Sequence, residues 1–175
     1  WKTIKRAAQA IALAAGDAAP PVGTKIVLRG PVLASGTTGD TYPITLPQNV
    51  TLEGEGGGGA ELPAGSIHGG LSILRIATTG VKLVNVIIDA NVTPASPGVS
   101  PSYGINVEST GAAELENVEV RRATYGVYAQ GVLVVNDGTR IHDTLQVGLM
   151  AMGTAAVAIA SSSTSAPVEI YGSGQ

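Results

Sequence analysis

The sequence predicts an all-β solenoid, a coil of short strands closed at its start by a small amphipathic helix. Three observations carry that expectation. Tyr103-Gly104-Ile105-Asn106-Val107, Tyr125-Gly126-Val127-Tyr128-Ala129 and Val147-Gly148-Leu149-Met150-Ala151 repeat one pattern, with their glycines at 104, 126 and 148, 22 residues apart. That interval suits one circuit of a coiled sheet and not a helical repeat. Hydrophobic residues make up 44% of the chain while aromatics are 3% and phenylalanine is absent, a mixture of Ala, Val, Ile and Leu that fits thin, regular stacks of small and β-branched side chains. A helical apolar period is confined to the first sixteen residues. A single rung cannot bury its own apolar face, so neighbouring rungs must do so for it.

Taken in order, Thr3 to Ala15 reads as a helix, because Ile4, Ala7, Ala8, Ile11 and Ala15 fall on one stripe. Thr3 is placed to cap its start and Gly16 to end it. The strand pattern begins after Thr24 with Lys25–Arg29, then Tyr42–Pro47 and Asn49–Gly54, where Val50 and Leu52 alternate with polar neighbours. Glu55-Gly56-Gly57-Gly58-Gly59 breaks the pattern. It has neither the Lys-Ser/Thr ending nor the following helix of a phosphate loop. Strands resume at Leu71–Ile76 and Val81–Asp89, then Ala113–Val120, Val132–Asn136 and Ala155–Ala160. Asn85, Asn117 and Asn136 each follow an apolar residue by two positions (Leu83, Leu115, Val134) and are expected at corners, because Asn tolerates left-handed backbone and can stack in ladders. Asn91–Ser102, rich in Pro, Ser and Gly, reads as an inserted loop.

Bulk properties narrow the function classes. The chain of 175 residues is expected to form one domain, 1–175, with the capping helix in 1–16 and rungs over 24–175. It begins at Trp1 and ends in a Gly/Ser-rich stretch, which suggests a part of a longer protein. Charged residues are 13% and the net charge is -3, so nothing attracts nucleic acid phosphates. The absence of cysteine excludes disulfides, thiol nucleophiles and thiolate metal sites. No segment reaches the roughly 20 apolar residues of a membrane-spanning helix.

Trp1-Lys-Thr-Ile-Lys-Arg-Ala, Ala15-Gly-Asp17 and Gly39-Asp-Thr-Tyr-Pro-Ile-Thr-Leu-Pro-Gln-Asn-Val-Thr-Leu-Glu-Gly54 together resemble the pectin-lyase-like superfamily of right-handed parallel β-helices. The likeness is closest to its branch of uncharacterised domains from bacterial and archaeal surface or secreted proteins. It covers residues 1–56; from 71 to 175 only the generic rung pattern is shared. The resemblance implies an extracellular or cell-surface location. Beyond the fold it implies little about a ligand, since members of the superfamily include polysaccharide lyases, glycoside hydrolases and isomerases beside adhesins, phage spikes and stalk-like structural proteins. One scaffold serves several functions, so function has to be argued from a site.

Pectinolytic members cluster acids near an Arg or Lys base, often around calcium. The corresponding residue types here are Asp89, Glu119, Arg121, Arg140, His142 and Asp143, with Glu119, Arg121, Arg140 and Asp143 the catalytic candidates, since residues one rung apart stack within about 5 Å. Against them, Glu114, Glu116 and Glu119 alternate with Leu115, Val118 and Val120, as solvated outer positions with cross-rung ion pairs would. His142 beside Asp143 has the chemistry of a base or a metal ligand, but a lone His next to an acid on a turn is common, and His68 stands in no motif. Asp137-Gly138 reads as a tight turn, since the repeated acidic spacing of calcium-binding solenoids is missing. No cofactor is expected, and calcium enters only under the lyase alternative. Tyr103, Tyr125 and Tyr128 are the ligand-binding candidates, as an aromatic platform for sugar rings, with Tyr171 further along; the competing reading is a tyrosine ladder that stabilises the coil.

Three functions remain open. The leading one is a structural surface protein that assembles or adheres. Its last rung is expected to be covered either by a further C-terminal region or by another subunit, and the second option makes end-to-end stacking into fibres or sheets natural through an exposed C-terminal rung. The others are a carbohydrate-binding module and an enzyme acting on acidic polysaccharide.

Overall fold

The computed structural model describes residues 3–29, 42–55, 60–63, 72–91, 103–162 and 166–172. The glycines 56–59, residues 92–102 of the expected inserted loop and His68 lie outside them.

The helix forms as its stripe requires. In α1 (Ile4–Ala15) the Thr3 hydroxyl accepts a hydrogen bond from the Arg6 N–H at 3.2 Å, and Ile4, Ala7 and Ala8 are buried. Gly16 stops it at φ 61°, its N–H donating to the carbonyls of Ala12 and Leu13. This left-handed turn is open to glycine without a side-chain clash.

Among the described residues, every regular element after α1 is a β-strand. The chain first forms β1 (Thr24–Leu28), the two-residue β2 (Ile44–Thr45) and β3 (Val50–Gly54). It then enters a regular cycle with β4 (Ala60–Pro63), β5 (Ser72–Ile76), β6 (Val81–Val84), β7 (Val86–Asp89) and β8 (Tyr103–Val107). The cycle continues through β9 (Ala112–Glu116), β10 (Glu119–Arg121), β11 (Tyr125–Ala129), β12 (Val132–Asn136) and β13 (Arg140–His142). Its last circuit is β14 (Val147–Ala151), β15 (Ala156–Ala160) and β16 (Glu169–Tyr171). Among the described residues these strands make three parallel sheets. The first is β1-β3-β6-β9-β12-β15, the second β4-β7-β10-β13-β16 and the third β2-β5-β8-β11-β14. From β3 onward the chain visits the three sheets in a fixed rotation, an order compatible with a parallel β-helix or solenoid.

Parallel register places like residues on like. One column runs Ile26, Leu52, Leu83, Leu115, Val135 and Ile159 through the first sheet. Leu62, Ile88, Val120, Ile141 and Ile170 form a second column, and Ile44, Leu74, Ile105, Val127 and Leu149 a third. Most members have no exposed surface, and each fully buried aliphatic side chain contributes about 1.5–3 kcal/mol. Helix α1 lies against β1 and β2 and so covers the start of this core.

The repeated glycines meet in the third sheet. A side chain on Gly104 would lie 2.7 Å from the Gly126 carbonyl and 2.6 Å from Val120 Cγ1, and one on Gly126 would strike the Gly148 carbonyl. The constant spacing therefore records a close passage of backbones that no larger residue permits.

The corners correct one expectation. Asn85 and Asn117 are left-handed, at φ 55° and 51°, and Asn117 Nδ2 donates to Asn85 Oδ1 at 2.6 Å. Asn136 is not part of this ladder; it stays within β12, and its amide donates to Glu114 at 2.8 Å. The third corner belongs to Gly138, at φ 73° beside Asn117. Leu115 accordingly pairs with Val135 and not with Val134, which pairs with Glu114. The Asn136–Thr139 turn adds a residue before the corner, closed by a bond from the Thr139 N–H to the Asn136 carbonyl at 3.3 Å, as the Asp137-Gly138 reading requires.

Candidate functional site

The outer face of the second sheet carries a charged ladder. Register stacks Glu61, Ile87, Glu119, Arg140 and Glu169 in one row, and Asp89, Arg121, His142 and Tyr171 in the next. Asp89 is the pivot, with no exposed surface. It accepts from Arg121 Nε at 2.8 Å, from Arg122 Nε at 2.7 Å and from the Asn91 N–H at 3.0 Å, and Arg122 Nη2 closes a second bond to it. Burial alone would raise its pKa, but the two guanidiniums and the backbone donor outweigh that and hold the carboxyl below the ordinary carboxylate range.

Arg121 also donates to Glu119 at 2.8 Å and to Glu61 at 3.3 Å, while Arg140 reaches Glu119 at 3.0 Å. His142 joins the ladder through Glu119, with Nε2 3.4 Å from its carboxylate, and through Asp143, 2.9 Å from Nδ1. Its ring stacks on Tyr171 at 5.1 Å and 4°. The candidates Glu119, Arg121 and Arg140 are thus brought together, with Asp143 attached by way of His142. Each arginine of the cluster is already bonded to carboxylates. Although burial pulls the Arg121 pKa down, Asp89 and the neighbouring acids raise it further, which is opposite to what proton abstraction requires. The ladder binds strand to strand, and no group of three or more metal-ligating side chains occurs among the described residues.

The tyrosines form a separate cluster on the third sheet. Tyr103 and Tyr125 are register partners with ring centroids 5.5 Å apart, and Tyr103 lies 4.8 Å from Tyr128. These are tilted contacts within the range of favourable aromatic pairs. Burial, followed by its two tyrosine neighbours, raises the Tyr103 pKa. Asn106, the register partner of Tyr128, carries a buried Oδ1 with no hydrogen-bond partner. Tyr171 lies on the second sheet and does not belong to this cluster.

The third feature is the last circuit. Among the described residues, β14, β15 and β16 are each the last strand of a sheet. Ile159 is 55% exposed and Ile170 40% exposed, although their partners Val135 and Ile141 are fully buried. No Asp, Glu, Lys or Arg occurs from Thr144 to Val168, so none of the charges that usually guard a strand edge is present along β14 or β15.

Comparison with protein-family models, curated proteins and solved structures returns no match.

Two members of the charged ladder escape sequence reasoning. Glu61 sits on β4, a strand hidden in the sequence beside the glycine run, and it reaches Arg121 sixty positions away. Arg122 is not among the candidates that the sequence offers, yet its left-handed φ of 52° turns it back onto Asp89. The local clue was the parallel between Val86-Ile-Ile-Asp89 and Val118-Glu-Val-Arg121, which end on register partners of opposite charge.

Proposed function

We propose that this chain is a right-handed parallel β-helix of the pectin-lyase-like type that acts as a structural, self-associating unit at the cell surface or outside the cell. The edge formed by β14, β15 and β16 is the observation that supports this reading. Among the described residues these are the last strands of the three sheets, Ile159 and Ile170 are partly exposed, and no charge lies along β14 or β15. An exposed apolar strand edge of this kind is a template for another chain. The surface or secreted location rests on the resemblance of residues 1–56. Light scattering of the purified chain across concentration tests the assembly reading; a single mass equal to one chain at every concentration would remove it.

A second reading, carbohydrate binding, is supported by the tyrosine cluster. Tyr103, Tyr125 and Tyr128 are half-buried and lie together on one sheet, and exposed ring faces suit the C–H faces of a sugar. A glycan array tests it, and an absence of hits, or hits unchanged in Tyr128→Ala, defeats it. The polysaccharide lyase alternative has the weakest support, because the arginines that would serve as base are bonded to acids.

A further inference from the structure

We propose that Tyr103 and Tyr128 form a modification site, where a one-electron oxidant joins the two phenol rings through a carbon–carbon bond and staples β8 to β11. The geometry of the third sheet carries this by itself, apart from the functions proposed above.

The chain holds five tyrosines, one tryptophan and no phenylalanine, yet three of the tyrosines gather at one place. Tyr103 is the hub, with its ring centroid 4.8 Å from that of Tyr128 and 5.5 Å from that of Tyr125. Tyr103 and Tyr125 are register partners, whereas Tyr128 is in register with Asn106. A register pair inherits the spacing of its two strands. The diagonal contact is set by the side chains themselves, and it is the closer of the two. All three rings are half-buried, so packing holds them at these separations.

Burial, followed by its two tyrosine neighbours, raises the Tyr103 pKa. At neutral pH Tyr103 is therefore a phenol, which gives up its electron together with its proton. When Tyr128 does the same, two phenoxyl radicals stand side by side. The ring carbons next to the two oxygens then bond, and the hydrogen on each of those carbons moves to its oxygen, restoring both aromatic rings. Two electrons and two protons leave in all. Hydrogen peroxide accepts them through a haem peroxidase and becomes two molecules of water.

Such a link does for this chain what a disulfide does elsewhere, since it has no cysteine. It closes a loop of about 25 residues that carries β9 and β10, and so restricts the unfolded chain.

Hydrogen peroxide with a haem peroxidase, applied to the full chain in dilute solution, provides the test. The expected product runs as a single chain, has lost two hydrogens and shows the blue fluorescence of a biphenol. Fragmentation of its digest should place the link between Tyr103 and Tyr128. The melting temperature of the linked form should rise by roughly 5–10 °C. Tyr125→Phe should keep the link, while Tyr103→Phe and Tyr128→Phe lose it; each exchange removes a hydroxyl and leaves the ring packing in place. Links found only between chains, a product joining Tyr103 to Tyr125, or a link that survives in Tyr128→Phe would each overturn the proposal. An unchanged melting temperature in the linked form would overturn the staple.

Discussion

Val135 and Ile159 are direct register partners in one aliphatic column, yet Val135 has no exposed surface while Ile159 is 55% exposed. Nothing about the side chains accounts for the contrast; it comes from the strand each has on its far side. Val135 lies between Leu115 and Ile159, and Ile159 has a neighbour on one side only.

Truncation should therefore cost very different amounts along this column. Leu115→Ala leaves a cavity between two filled layers and should destabilise the fold by about 2–5 kcal/mol. Ile159→Ala, measured in dilute solution, should cost less than about 1 kcal/mol, because roughly half of the side chain is never removed from water. Urea denaturation of the two variants checks the order, and equal losses would contradict the layered core.

Hydrogen exchange should show the same gradient. Strands stacked in parallel register are held by their nearest neighbours, so amides of β5 to β12 should exchange slowly while those of β14, β15 and β16 open first. Mass spectrometry of peptides covering 103–160 compares β8 with β14 and β15, and equal rates would contradict the gradient.

The Asp89 carboxyl, held below its ordinary range by Arg122 and Arg121, predicts acid sensitivity. A lowered folded pKa stabilises the protein above the unfolded value, and the contribution disappears as pH falls through the folded one. Melting temperature should thus fall between about pH 5 and pH 2, and Asp89→Asn should flatten that slope. At neutral pH the substitution should cost roughly 1–2 kcal/mol, less than a fully buried ion pair because both guanidiniums reach solvent. A profile in the variant as steep as in the unaltered chain would assign the acid sensitivity elsewhere.

Backbone geometry makes two opposite predictions for small substitutions. Gly126→Ala places a methyl group 2.5 Å from Ile141 Cγ2 and against the Gly148 carbonyl, and should cost about 1–3 kcal/mol. At the left-handed corner of Asn85, Asn85→Ala should cost about 1–2 kcal/mol. Asn85→Gly should cost less, since Gly138 already serves the equivalent corner. Thermal melts rank the three variants.

Legibility followed how local each determinant is. The stripe Ile4, Ala7, Ala8 and the caps Thr3 and Gly16 are contained within one helix and read correctly. The 22-residue glycine interval works because one residue type is forced at each passage. Asn136 misled because it matches the Asn85 and Asn117 pattern in composition, whereas a single added residue in the following turn moves the corner to Gly138 and slides the pairing from Val134 to Val135. In a period of two, one step exchanges the inner and outer faces. Glu61 was unreadable for the opposite reason: its partner Arg121 is remote, and only the register of β4 on β7 and of β7 on β10 joins them.

Helix α1 is the lid over the first strands, with Ile4, Ala7 and Ala8 buried and its contacts falling on β1 and β2. A protease cut between Gly16 and Thr24 that released it would wet Ile26 and Ile44. Damage to the stack would then start at that extremity and spread inward, circuit after circuit.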